Sequence, residues 1–205
     1  MIERIGSDYG GWHVDTAFIP RKGYVISAGL GTDISFDMEV IKRFGCVVVG
    51  VDPTTLTLEA VRKSGLSKDK FVLVRAALWE RTTEALPFSS ARSNGAGCYN
   101  VGKARKVQGI SLADIFDQYP NSVLLKMNVE GAEYPVWNTW NTGWWLPEKL
   151  QQILVRFHHR KAEVPYTIND TRAIVTKIRG MGFMTAWSSD GNDPEVDQEV
   201  LFIRH

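Results

Sequence analysis

Cysteine is scarce. Only Cys46 and Cys98 occur, too few for the disulfide framework of a small secreted domain, and both read as free thiols of a reducing compartment. Cys46 opens an apolar run, so buried structural use is expected of it, whereas Cys98 lies in a glycine-rich segment. No apolar stretch approaches the roughly 18 residues of a membrane span. Met1-Ile2-Glu3-Arg4-Ile5-Gly6 lacks the apolar core of a signal peptide. A soluble, cytoplasmic protein with no membrane span is expected. Charge of one sign is missing as well: a formal net charge of +1 supplies no field for a nucleic-acid partner or an anionic membrane. No repeat, low-complexity tract or linker divides the 205 residues, 44% of them hydrophobic. A single domain over 1–205 is expected, with an N-terminal arm over about residues 1–20.

What is present centres on Tyr24-Val25-Ile26-Ser27-Ala28-Gly29-Leu30-Gly31-Thr32-Asp33-Ile34-Ser35-Phe36. An apolar run breaking at two glycines into a helical pattern reads as strand, tight turn and helix N-terminus, a small-ligand loop or an ordinary tight connection. A dinucleotide fingerprint needs a third small residue, but its place is taken by the bulky Ile34. Three- and four-residue apolar spacing, early acids, late bases and a closing Gly45 predict a helix over Asp33 to Phe44. The β-branched run Cys46 to Val51 predicts a strand buried on both faces, ending in Asp52-Pro53-Thr54. Asp52 stands 21 residues after Gly31, the separation at which βαβ units place a carboxylate on ribose hydroxyls. Its alternative role is an N-cap for a helix over Thr54 to Lys63.

Further along, Phe71 to Trp79 reads as a third strand and Ser89 to Gly102 as a Ser, Asn and Gly-rich insertion, extending over about 89–106. The insertion is either a substrate lid or a long surface loop, flanked by Arg92, Lys103, Arg105 and Lys106. A short helix begins at Ser111 and ends by Tyr119-Pro120. The fourth strand, Ser122 to Met127, leads into Asn128-Val129-Glu130-Gly131-Ala132-Glu133. Four tryptophans, Trp137, Trp140, Trp144 and Trp145, follow on a helical pattern that suits a core stripe or a platform for a sugar ring. The fifth strand, Leu150 to Phe157, ends in His158-His159, at the strand edge where open α/β sheets bind ligands. A helix over Asp170 to Arg179 and a hairpin of two strands close the chain.

Several of these segments resemble FkbM-type methyltransferases, a branch of the class I S-adenosylmethionine (SAM) enzymes. Gly29-x-Gly31-x-Asp33-x-Ser35-Phe36 is similar to their first motif, and Tyr9-Gly10-Gly11-Trp12 to a stretch before their first strand. Leu125 to Glu133 matches Leu-Lys-Met-Asp-hydrophobic-Glu-Gly-Ala-Glu at eight of nine positions, with Asn128 in place of the aspartate. Arg156-Phe157-His158-His159 stands where the family commonly carries Glu-Phe-His-His.

The resemblance implies an α/β fold with a seven-stranded, mostly parallel Rossmann-like sheet, helices on both faces and a C-terminal antiparallel hairpin. It implies SAM as cofactor, bound by Ala28, Gly29, Gly31, Asp33, Ser35, Asp52, Ala77, Leu78 and Asn128. The reaction implied is O-methylation of a hydroxyl on a small molecule or glycan, with a sugar such as a deoxyhexose favoured. Some family members are fused to glycosyltransferases, so one domain of a longer glycan-modifying protein is compatible with the resemblance. Tyr9, Trp12 and Arg92 are candidate substrate contacts. Deprotonating an unactivated alcohol calls for a base, and His159, His158 and Glu130 have suitable chemistry. Side chains alternate along a strand, so at most one histidine faces the acceptor directly; His159, further out, is the favoured one. No metal is expected, although His158, His159 and Glu130 could together ligate one. The competing readings are a nicotinamide- or nucleotide-binding oxidoreductase, and a module that binds SAM or sugar without turnover.

Overall fold

The computed structural model describes residues 1–89, 97–99, 104–139, 146–189 and 198–204. Arg92, Lys103, Trp140, Trp144, Trp145 and most of the expected insertion lie outside these residues.

The chain begins with a hairpin of β1 (Ile2–Ile5) and β2 (Trp12–Asp15), then β3 (Tyr24–Ala28), α1 (Ser35–Phe44), β4 (Val47–Val51), α2 (Thr55–Ser64) and β5 (Phe71–Val74). A small second sheet comprises β6 (Ala77–Trp79), β7 (Thr83–Ser89) and β8 (Ala104–Ser111). There follow α3 (Leu112–Gln118), β9 (Ser122–Met127), α4 (Glu133–Thr139), β10 (Gln152–Phe157), α5 (Ile168–Gly180), β11 (Met184–Ser188) and β12 (Gln198–Ile203).

Seven strands form the main sheet in the order β11-β12-β10-β9-β3-β4-β5. Its strands from β10 to β5 run parallel, while β12 is antiparallel to β10 and β11 to β12. This is the architecture expected of the alternating strand and helix patterns. The order reverses between β3 and β9, the switch point where open α/β sheets hold ligands. Alternation along the strands divides the core: Val25 and Val48 join one cluster, Ile26 and Val49 the other. Each such buried aliphatic side chain contributes about 1.5–3 kcal/mol, so a strand slipped by one residue would lose both layers together.

Local chemistry sets the helix ends. Gly45 and Gly65 close α1 and α2 in left-handed conformation at φ 68° and 69°. Thr54 caps α2, its side chain accepting from Thr57 N–H, and Ser111 caps α3, accepting from Asp114 N–H. In α4, Trp137 is fully buried, so this member of the tryptophan stripe is core.

Three expectations are corrected. The single third strand over Phe71 to Trp79 is broken: the chain turns at Arg75, where Ala76 N–H donates to Val74 C=O (2.9 Å), and β6 leaves the main sheet to pair with β8. The borders of the expected insertion are strand, because Ser89 pairs with Ala104 and the antiparallel ladder extends from there. The arm, which has no strand pattern in its sequence, is a hairpin held by tertiary contacts. The Gln152 side chain accepts from Asp15 N–H (2.9 Å) and donates to Asp15 C=O (3.0 Å).

Candidate active site

The turn after β3 is built by contacts that close on the protein itself. Gly29 has φ +73°, and a Cβ there would lie 1.8 Å from the Asn128 carbonyl oxygen, so only glycine fits between the ends of β3 and β9. Ala28 is fully buried, and its carbonyl accepts from Asn128 N–H (3.0 Å). Asp52 sits at the end of β4 with both carboxylate oxygens engaged. Oδ2 accepts from Leu30 N–H (3.0 Å) and Gly31 N–H (3.2 Å). Oδ1 accepts from Thr54 N–H (2.8 Å) and the Thr54 hydroxyl (2.7 Å). Thr57 completes the frame, its hydroxyl donating to Gly31 C=O (2.7 Å). Of the two roles read for Asp52, helix capping falls to Thr54, and the carboxylate braces the loop.

Asp33 and Ser35 belong to a different junction. Asp33 Oδ1 accepts from Ser35 N–H (2.9 Å) and Oδ2 from the Ser7 hydroxyl (2.5 Å), while Ser35 Oγ accepts from Ser7 N–H (2.8 Å). Partial burial raises the Asp33 pKa, but the hydrogen bonds from Ser35, Ser7 and Gly10 outweigh it and hold the carboxyl below its ordinary range. Both residues therefore tie the N-terminal hairpin to the start of α1. Ala77 and Leu78, expected beside adenine, are buried in separate hydrophobic clusters.

Sequence reasoning passed over Lys126. It is buried, and its ammonium donates to Gly29 C=O (2.6 Å) and Ala28 C=O (3.4 Å), with the Trp12 ring 5.3 Å away. Asp37 of α1 is buried nearby, pushed up to about 6 by desolvation against the opposing pull of Lys126. Burial lowers the Lys126 pKa, opposed by Asp37, Asp52 and Glu199. The signal available in sequence was a lone lysine inside an otherwise apolar strand.

At the carboxyl ends of β9 and β10 a second constellation forms. Glu130 adopts φ +56°, which turns the chain toward α4. Fully buried Glu133 accepts through Oε1 from His158 N–H (2.8 Å) and faces His158 Nδ1 at 3.0 Å; its Oε2 accepts from Gly131 N–H (2.9 Å). His158 Nε2 faces Glu130 Oε1 at 3.7 Å, and Glu130 Oε2 pairs with Lys161 at 2.6 Å. His159 turns the other way: its Nδ1 meets Thr171 Oγ1 at 3.1 Å, and its Nε2 accepts from Arg160 Nε (3.3 Å). Opposite orientation of the two rings follows from alternation at the strand end.

The candidate substrate residues separate. Trp12 is buried against Lys126, Tyr9 is 86% exposed, and Arg92 lies outside the described residues. Burial pushes the Cys98 thiol up to about 12, so it is no thiolate nucleophile at neutral pH. Among the described residues, no three His, Cys, Asp or Glu side chains converge to hold a metal ion, and no helix is long and apolar enough to cross a membrane.

Two observations bear on whether SAM fits here. Asn128 Oδ1 is buried at the end of β9 with no hydrogen-bond partner among the described residues, an acceptor suited to the ammonium of a methionine moiety. A Cβ at Gly31 would meet nothing within 4 Å among the described residues, so the outer side of the loop has room.

Comparison with known proteins bears on family and fold. Residues 19–184 match the methyltransferase FkbM domain model. No curated protein matches the chain. Among solved structures, the Methanococcus jannaschii fibrillarin pre-rRNA processing protein is similar, with TM-score 0.53, 10% identity, and coverage of 93% of this chain and 70% of that one. A putative rRNA methylase from Clostridium thermocellum gives TM-score 0.50 and 10% identity, covering 91% of this chain and 89% of its own. At such identities the likeness is one of fold.

Proposed function

The chain belongs to the FkbM family of methyltransferase domains, with SAM as its cofactor, and on that premise we propose that it methylates a hydroxyl, with a sugar as the acceptor class. Family membership sets aside the nicotinamide-dependent alternative. When bound, SAM supplies an electrophilic methyl group on a sulfonium, to be met in line by the acceptor oxygen. Asn128, with its unpaired buried oxygen, is the residue proposed to hold the methionine end, and the braced loop from Gly29 to Gly31 to form the cofactor wall.

The observation that carries the reading is the alignment Glu133, His158, Glu130. With Glu133 accepting from Nδ1–H, the imidazole is held in the tautomer whose Nε2 is the basic nitrogen. A proton taken there from an acceptor hydroxyl gives an imidazolium between two carboxylates, both within 4 Å. We therefore assign the base to His158 in place of the favoured His159, whose ring nitrogens engage Thr171 and Arg160. The partly exposed Glu130 orients the hydroxyl, and Lys161 holds Glu130.

A panel of mono- and disaccharides incubated with methyl-labelled SAM and read by mass spectrometry tests the function. An ether product carrying the labelled methyl group, lost in His158→Ala, is the expected result. Turnover that survives in His158→Ala and vanishes in Glu130→Gln would move the base to Glu130. SAM binding without product from any hydroxyl acceptor would favour a binding module.

A further inference from the structure

We propose that Lys126 is a positioning residue for the cofactor: from beneath the sheet edge, with Asp37 as counter-charge, its ammonium sets the peptide plane at Gly29 on which cofactor affinity depends. The inference rests on the methyltransferase reading above and adds a residue to it.

The Gly29–Leu30 peptide is gripped at both ends. Its carbonyl accepts from Lys126 Nζ at 2.6 Å, and its N–H donates to Asp52 Oδ2 at 3.0 Å. The two partners come from the strands on either side of β3, namely β9 and the end of β4. Turning this peptide plane changes ψ at Gly29, which without a Cβ is less restricted than any other residue. Flipping would exchange carbonyl and N–H on the ligand side of the loop. An ammonium below and a carboxylate at the other end select one orientation before any ligand arrives.

Packing alone does not account for a lysine here. Lys126 is 4% exposed and Asp37 2%, and burying charged groups commonly stabilises no more than well-packed apolar residues of similar volume. Methionine would fill the space beneath Trp12 without desolvating a charge. Burying these two groups thus fits a task other than stability. Lys126 is faced by Asp37 from α1, Asp52 from the end of β4, Glu199 from β12 and, with like charge, Arg156 from β10. Asp37 in turn faces Ser27 of β3 and Asp33 at the start of α1.

The test is calorimetric titration of S-adenosylhomocysteine into the wild type, Lys126→Met and the double variant Lys126→Met/Asp37→Asn, with melting temperatures measured in parallel. Lys126→Met should bind about tenfold or more weakly, the scale of one charged hydrogen bond. In turnover assays the loss should appear in the KM for SAM with kcat at saturation near the parent value. The double variant removes the stranded carboxylate and should regain melting temperature without regaining affinity. Should Lys126→Met alone fail to fold, the double variant carries the same criterion. Affinity within about twofold of wild type in a folded variant, or affinity that returns together with melting temperature, overturns the positioning role. A wild-type protein that does not bind S-adenosylhomocysteine would overturn the cofactor reading itself and this inference with it.

Discussion

At the glycine loop the polar contacts close inward, with Asp52 taking Leu30, Gly31 and Thr54, Thr57 taking the Gly31 carbonyl and Lys126 the Gly29 carbonyl. Beside β10 they run outward instead: side-chain exposure rises from 0% at Glu133 through 4% at His158 to 26% at Glu130. The first arrangement is a preformed mould, in which each group is committed to holding backbone and a substitution costs stability or affinity. The second grades burial along a line of titratable groups, so that the inner members are held and Glu130 meets the solvent side. Under the proposed function, the first arrangement would hold the cofactor still and the second would move a proton.

The contrast is broken most severely at the outward end. His158→Ala should reduce turnover at saturating SAM by about 10²- to 10⁴-fold, the usual loss of a general base. His159→Ala should stay within about tenfold, since it removes only support for Thr171 and Arg160. Initial rates on the same acceptor decide this, and a larger loss in His159→Ala would return the base to that residue.

Next in size is Asp52→Ala, which leaves two loop N–H groups and both Thr54 donors without their acceptor. Stability should fall by about 2–4 kcal/mol, seen as a melting temperature lower by roughly 5–15 °C. If melting were unchanged and only SAM affinity fell, Asp52 would be a ribose ligand and not a brace, and the mould would lose its centre. Thr57→Ala sharpens the same point at smaller scale. Losing one hydroxyl bond to Gly31 C=O should cost about 1 kcal/mol by chemical denaturation, while His158-dependent kcat is unaffected.

A further effect is one of pH. Asp37 is pushed up to about 6 from an ordinary value of 3.8. Between these values the folded state binds more protons than the unfolded chain, so the Asp37 contribution favours folding at low pH and is lost as pH rises through that window. The wild-type minus Asp37→Asn difference in unfolding free energy should therefore fall from about pH 4 to about pH 6. A difference that stays flat across the window would mean that Lys126 keeps Asp37 ionised throughout.

How far this molecule is legible in its sequence depends on the distance over which each feature is decided. The order of strands and helices, the helix stops at Gly45 and Gly65 and the position of the glycine turn follow from periodicity and backbone sterics within a few residues. The burial of Trp137 in its helix was readable in the same way, whereas the cap of α2, read as a possible role of Asp52, falls to Thr54. The break after Val74 was not, because Phe71 to Trp79 is apolar throughout and only pairing with β8 draws β6 out of the main sheet. The roles of side chains were decided farther away still. Glu133 reaches His158 across 25 residues, Ser7 reaches Asp33 across 26, and Lys126 reaches Gly29 across 97. Sequence alone put His158, His159 and Asp52 at the carboxyl ends of their strands, since strand order and alternation are local, and it passed over Lys126. Which ring faces a carboxylate, which acid is spent on backbone and which lysine lies under the loop were decided by the tertiary structure, because parallel strands adjacent in the sheet are remote in the chain.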